Sequence, residues 1–278
     1  MRIRLDAELV RRGLAKSRAH ADELIQNHQV LVNGIAASKA STQVDSQISI
    51  KVVGDVDHYV SRGAHKILGA IKKFGDENLQ IMDAYCLDAG ASTGGFTQVL
   101  LELGARKVLC VDVGYGQLAW QLQNDERVIR IDRTNIREVS LNQIADENQN
   151  LPSFIVADLS FISLKLVIEK LIKISAPTAQ FLLLVKPQFE LNAELVGHNG
   201  VVREPNLRLQ AVSDVANAIL NLGVSISGIC ASSLPGPAGN VEYFIWARKI
   251  SDPTARTLKL TDGSLMAEIQ KAIAEGPA

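Results

Sequence analysis

Apolar positions in the first sixty residues follow a different rhythm from those beyond residue 81. Leu5, Leu9 and Val10 have helical spacing, and Gly13 ends that run. Ser17 is placed to cap a second helix with Ala21, Leu24 and Ile25 on its apolar face. Val30, Leu31 and Val32 then meet Ile35 across Asn33-Gly34, a pair that tolerates positive φ and therefore predicts a hairpin. Ile48, Ile50 and Val52 alternate with polar residues as a later strand. The expectation is two short helices followed by a small sheet. A linker, Gly54 to Val60, leads to Ser61, which can cap a helix running to about Phe74. Beyond residue 81, apolar strands are predicted at 85–89, 107–111, 128–131, 153–157, 180–185, 224–231 and 241–247, with helical segments between most of them. Such alternation predicts an α/β domain whose mostly parallel sheet is covered on both faces, with its ligand at the carboxyl edge of the strands.

Composition narrows this picture. A chain of 278 residues, 47% of them hydrophobic, is long enough for two domains and a sizeable core. No stretch approaches the ~18 apolar residues of a membrane span, so no membrane partner is expected. Charges at Arg2, Arg4 and Asp6 interrupt the start of the chain too early for a signal peptide, and a cytoplasmic location is expected. Cys86, Cys110 and Cys230 each sit in an apolar run, which reads as three small buried hydrophobes in a reducing compartment. The net charge is −1, but residues 1–18 hold Arg2, Arg4, Arg11, Arg12, Lys16 and Arg18 against Asp6 and Glu8. A local basic patch can bind phosphates on a neutral chain, and it can equally be a solvated helix face.

Arg4-Leu5-Asp6, Leu9, Gly13, Ser17-Arg18, Ala21, Ile25 and Val30-Leu31-Val32-Asn33-Gly34 together resemble the small RNA-binding domain of ribosomal small-subunit protein four, over about residues 3 to 55. The resemblance implies that Arg4, Arg11, Lys16 and Arg18 contact RNA, mostly through phosphates. The alternative is that Arg18 pairs with a nearby carboxylate such as Asp22.

The first strand of the larger domain ends Leu87-Asp88-Ala89-Gly90-Ala91-Ser92-Thr93-Gly94-Gly95-Phe96. The spacing differs from a dinucleotide fingerprint, and no Gly-Lys-Ser/Thr follows as in a phosphate loop. It resembles motif I of S-adenosylmethionine (SAM) dependent methyltransferases, which makes Asp88, Gly90, Ser92, Thr93, Gly94, Gly95 and Phe96 candidate cofactor contacts. Asp112 ends the next strand about twenty residues on, where a carboxylate can accept ribose hydroxyls. Asp132 follows the third strand, either beside an adenine or as a turn residue.

The fourth strand ends Ala157-Asp158-Leu159-Ser160-Phe161. Methyltransferases acting on exocyclic amines usually carry an Asp/Asn-Pro-Pro-aromatic motif here, and cytosine-carbon enzymes need a loop cysteine. Neither is present. An oxygen target remains. The fifth strand ends Val185-Lys186-Pro187, placing a lysine at the active edge, either as an ordinary solvated lysine or as a base for a hydroxyl.

Lys66, Asp158, Lys186 and Glu242 fall in the order of the Lys-Asp-Lys-Glu tetrad of FtsJ-type ribose 2′-O-methyltransferases. Together with Ser61-Arg62-Gly63-Ala64-His65-Lys66, Val111-Asp112-Val113-Gly114-Tyr115-Gly116-Gln117-Leu118, Asp132-Arg133-Thr134-Asn135, Lys186 to Glu190 and Gly200-Val201-Val202-Arg203, they resemble the hemolysin-named TlyA family of rRNA methyltransferases up to about residue 249. The resemblance implies a Rossmann-like domain over 61–250 that transfers methyl from SAM to a cytidine ribose in ribosomal RNA or ribosomal subunits. The RNA-binding domain and linker then occupy 1–60, and a C-terminal extension occupies 251–278. It implies catalytic roles for the tetrad and an RNA contact for Arg62. A helix within residues 254–275 favours action on both subunits. One departure is the linker: some members have Arg-x-Trp-Val where this chain has Asp57-His58-Tyr59-Val60. The loop Gly197 to Arg203 reads either as mobile over RNA or as a plain surface loop, and no metal site is expected because His198 lacks a second ligand at useful spacing. The rival readings are a non-catalytic RNA-binding protein and a membrane-damaging hemolysin.

Overall fold

The computed structural model describes residues 3–45, 47–53, 58–249 and 262–277. Arg2, residues 54–57 of the linker and residues 254–261 of the C-terminal stretch lie outside the described residues. The chain divides into two compact units, Met1–Tyr59 and Val60–Ala278.

In the first unit, β1 (Ile3–Arg4) leads directly into α1 (Leu5–Arg11), followed by α2 (Arg18–Gln26), β2 (Val30–Val32), β3 (Ile35–Ala36), β4 (Gln43–Val44) and β5 (Ile50–Val52). Ser17 caps α2 by accepting the His20 N–H. Asn33 and Gly34 both take positive φ, +50° and +82°, so β2 and β3 form the expected tight hairpin. Leu5, Leu9, Ala21, Leu24, Ile25, Val30 and Val44 form its core. The β1–β4 pairing is an addition to the sequence expectation, since two residues per strand leave no period to read.

The second unit begins with α3 (Gly63–Phe74). Ser61 does not cap this helix through its side chain; Arg62 holds the cap position. The Ser61 hydroxyl instead fills space beside Gly95, where a Cβ would stand 2.2 Å from it. Then follow β6 (Tyr85–Ala89), α4 (Gly95–Glu102), β7 (Lys107–Val111), α5 (Trp120–Gln123), β8 (Val128–Ile131), α6 (Leu141–Ile144), β9 (Phe154–Ala157), α7 (Ile168–Lys173), β10 (Gln180–Val185), α8 (Pro187–Glu190), α9 (Pro205–Asn221), β11 (Ser225–Ala231), β12 (Tyr243–Arg248) and α10 (Asp262–Glu275).

Among the described residues, these strands form a seven-stranded sheet in the order β11-β12-β10-β9-β6-β7-β8. The pairs from β10 to β8 are parallel, while β12 runs antiparallel to both β10 and β11. Strands β6, β9 and β10 are buried at every position, as their continuous apolar runs require of strands covered on both faces. Helix α9 shows the complementary pattern, burying Ala211, Val212, Val215, Ala216 and Ile219 along one stripe. Helix α10 packs on β11 and α9 and adds Leu265, Ile269 and Ala272 to the same core. After β6 the chain builds outward to β7 and β8, then returns to place β9 on the other side of β6. The crevice at that reversal, beyond the carboxyl ends of β6 and β9, is where such sheets bind ligands.

Candidate active site

The ends of β6 and β9 meet across Gly90. Its φ is +85°, and a Cβ there would stand 2.5 Å from the Asp158 carbonyl oxygen. Only glycine allows the turn and the close approach together. Two cavities open on either side of this contact. The larger, about 510 Å³, is lined by Asp112, Val113, Gln117, Asn135, Leu159 and Phe161 among others. The smaller, about 290 Å³, is lined by Arg62, Lys66, Thr93, Phe96, Pro235 and Pro237 among others. Gly90, Ser92 and Asp158 line both.

Backbone N–H groups hold the acid after β7. Asp112 accepts from Ser92 through Oδ2 at 2.8 Å and from Gly114 through Oδ1 at 2.7 Å. Each oxygen keeps a further lone pair. Gly95 and Phe96 line the smaller cavity, and Phe96 lies 6.0 Å from the Phe244 ring. Gly94 borders neither of these cavities but holds the N-cap position before α4 at φ +96°. Asp132 also lies off both walls, accepting the Gly116 N–H at 3.1 Å beside a small recess of about 10 Å³.

Asp88 is wholly buried beneath the loop. Its Oδ2 accepts the Thr97 hydroxyl at 2.7 Å, while Oδ1 has no hydrogen-bond partner among the described residues. Burial pushes its carboxyl up to about 7. Below about pH 4 the group is protonated whether the chain is folded or unfolded. Above that the unfolded chain ionises first, so stability is lost as pH rises through about 7. Asp88→Asn should therefore flatten the decline in melting temperature between about pH 4 and pH 7; parallel profiles for the two proteins would contradict it.

Two ion pairs stand at the edge of the crevice. Lys66 on α3 donates to Glu242 Oε2 at 2.6 Å, with both side chains almost fully buried. Gly236 leaves room for the other Glu242 oxygen, which a Cβ there would meet at 2.5 Å. Lys186, at the end of β10, lies with Nζ 2.7 Å from Asp158 Oδ1, a charge contact rather than an aligned hydrogen bond. Its directed hydrogen bond goes to Ser160 Oγ at 2.9 Å. Lys66, Asp158, Lys186 and Glu242 thus form two carboxylate-held ammonium groups. Removing one member of a buried pair strands the other, at about 3–5 kcal/mol. Glu242→Ala should cost stability on that scale, and Lys66→Met with Glu242→Leu should recover most of it in thermal melts.

Ser160 was not among the sequence candidates, although its place two residues after Asp158 in the same motif could have pointed to it. Glu190 was missed as well: it accepts from Ser163 Oγ at 2.5 Å and from the Leu164 N–H at 2.7 Å, clamping the loop after β9 to α8. Nothing in its spacing signals that contact. Asn240 similarly ties the loop before Val202, accepting the Val202 N–H and donating to the Gly200 carbonyl, both at 2.8 Å. All three cysteines are buried in strands, and burial raises each thiol, Cys230 to about 12. A thiolate nucleophile has no support here. Among the described residues no His/Cys/Asp/Glu group could hold a metal ion, and no helix is long and apolar enough to cross a membrane.

In the first unit, Arg4 and Arg18 both pair with Asp6, and Arg11 with Glu8. Arg18 therefore does not pair with Asp22, which accepts from Gln26 Nε2 one helical turn away; Asp6 lies between the two guanidinium groups and takes both. Lys16 and Arg62 are exposed, each within its own unit.

The family model described as FtsJ-like methyltransferase matches residues 59–249, and the S4 domain model matches residues 3–47. The chain is 47% identical over 277 residues to the 16S/23S rRNA (cytidine-2′-O)-methyltransferase TlyA of Mycobacterium tuberculosis, covering 99% of each. It is 34% identical over 257 residues to the 23S rRNA (cytidine-2′-O)-methyltransferase TlyA of Campylobacter jejuni, covering 85% of this chain and 96% of that one. A solved structure of a hemolysin-named protein from Streptococcus thermophilus matches with TM-score 0.73 at 34% identity, covering 99% of this chain and 95% of that one.

Proposed function

Because the chain belongs to the TlyA family, with an S4 domain ahead of an FtsJ-like methyltransferase domain, we propose that it methylates the ribose 2′-hydroxyl of a cytidine in ribosomal RNA, with SAM as donor. The observation that carries the proposal is Lys186, held by Asp158, which lines both cavities, and by Ser160, which lines the larger.

The residues present suit SAM. The larger cavity is within the size range of small-molecule sites, and Asp112 retains acceptor capacity at its rim. Gly90 gives the backbone approach that a Cβ would block, and Asp88 Oδ1 supplies an unused buried acceptor beneath. We assign Asp88, Gly90, Ser92, Thr93, Gly94, Gly95, Phe96 and Asp112 to the cofactor, with Asp132 supporting the loop through Gly116. When bound, SAM supplies an electrophilic methyl on a sulfonium.

The chain's own residues handle the hydroxyl. In its neutral form Lys186 accepts the 2′-hydroxyl proton as the new O–C bond forms. Asp158 fixes the amine and stabilises its positive charge afterwards, and Ser160 orients it. Lys66, fixed by its ion pair with Glu242, steadies the ribose and its phosphate. Orientation is the larger share of this catalysis, because the methyl transfer needs in-line approach. Arg62 and the arginines of the first unit hold the RNA, and the substrate is ribosomal RNA or ribosomal subunits in the cytoplasm. Incubation with labelled SAM and unmethylated rRNA should yield an alkali-resistant labelled dinucleotide, since a methylated 2′-oxygen cannot cleave the chain. Label released entirely as mononucleotide would refute the proposal.

A further inference from the structure

The arginines assigned to RNA in the first unit are not loose. Arg4 gives Nε and Nη2 to the two oxygens of Asp6, at 3.1 and 3.0 Å. Arg18, twelve residues on at the start of α2, gives Nε and Nη2 to Asp6 Oδ2, at 3.2 and 2.9 Å. The Asp6 side chain is 7% exposed, whereas Arg4 and Arg18 are 45% and 61% exposed. One submerged carboxylate therefore joins two surface guanidinium groups from separate elements. The Ala7 N–H also binds Asp6 Oδ1 at 2.8 Å, fixing the carboxylate itself. Both forks use the same edge, leaving Nη1 of each without a partner among the described residues.

Building on the RNA reading above, we infer that Asp6 is a positioning residue for RNA binding: it locks Arg4 and Arg18 into a converging pair whose outer N–H groups clamp the phosphate backbone. Arginine suits this arrangement because one edge of its planar fork can be held while another binds. The hydrogen bonds to Arg4 and Arg18 keep the Asp6 carboxyl far below the usual range, so the lock persists at every working pH.

The sign of one substitution separates this role from its alternatives. Asp6→Asn removes a negative charge beside a polyanion. If Asp6 merely competed with phosphate, affinity would rise; if it positions the arginines, affinity falls. Fluorescence anisotropy with the full chain and a labelled rRNA fragment, at one fixed salt concentration and at a temperature where both proteins remain folded, should show about tenfold weaker binding for Asp6→Asn, with SAM affinity retained. Arg18→Lys, which keeps the charge but loses the fork, should weaken binding similarly. Unchanged or tighter binding by either variant overturns the inference. Wild-type failure to bind any rRNA fragment would instead overturn the RNA reading, and this inference with it.

Discussion

Lys186→Ala should lower kcat by about 10³-fold while leaving SAM affinity within about twofold of the parent. The separation follows from geometry. Lys186 borders neither cavity; it reaches the crevice through Asp158 and Ser160. Removing its amine takes away the proton acceptor without touching the walls assigned to SAM. Asp158 loses its ammonium but stays partly exposed, with its side chain 24% accessible, so the stranded carboxylate can hydrate. Isothermal titration with SAM and single-turnover methylation on the same protein would read both halves. Turnover near the parent's would remove Lys186 from the chemistry. Loss of SAM binding would mean that the amine shapes the cofactor cavity.

Gly90→Ala should lose both functions at once. The added Cβ would press on the Asp158 carbonyl oxygen, a backbone atom that cannot swing aside, at a φ of +85° that disfavours any side chain. Relief requires the β6 and β9 ends to separate. They are tied by the Asp158 N–H to the Ala89 carbonyl at 3.0 Å, so separation moves the wall common to both cavities. SAM affinity should fall by more than about 30-fold, roughly 2 kcal/mol, and turnover should fall further because Asp158 no longer holds Lys186 in register. Binding within a few-fold of the parent would mean that the cofactor lies elsewhere.

The central strands of the larger sheet were legible because doubly covered strands must be apolar throughout, and β6, β7 and β10 fall at the expected residues. The crevice was legible for the same reason: alternating strands and helices dictate a parallel sheet, and its carboxyl edge brings Gly90, Asp112 and Asp158 together. The strand pairings at the far edge were not. Nothing in the apolar run of 243–248 says that β12 inserts between β10 and β11 in reverse direction, because a buried strand has the same pattern in either direction. The partners of the charged residues were equally hidden. Spacing offered Asp22 to Arg18, but α1 delivers Asp6 from twelve residues away. Lys66 finds Glu242 across 176 positions, and Glu190 reaches Ser163 across 27. Such contacts depend on how elements pack, and local sequence carries the elements rather than their packing.

The most direct test is methyl transfer to ribosomal subunits from a strain lacking the enzyme, with isotope-labelled SAM, followed by mass spectrometric mapping of the label in parent and Lys186→Ala reactions. A labelled cytidine carrying the methyl on its 2′-oxygen, present with the parent and absent with Lys186→Ala, is the expected result. A methyl on a base, or ribose methylation undiminished in the variant, would contradict the assignment of Lys186 and Asp158 to deprotonation of a ribose hydroxyl.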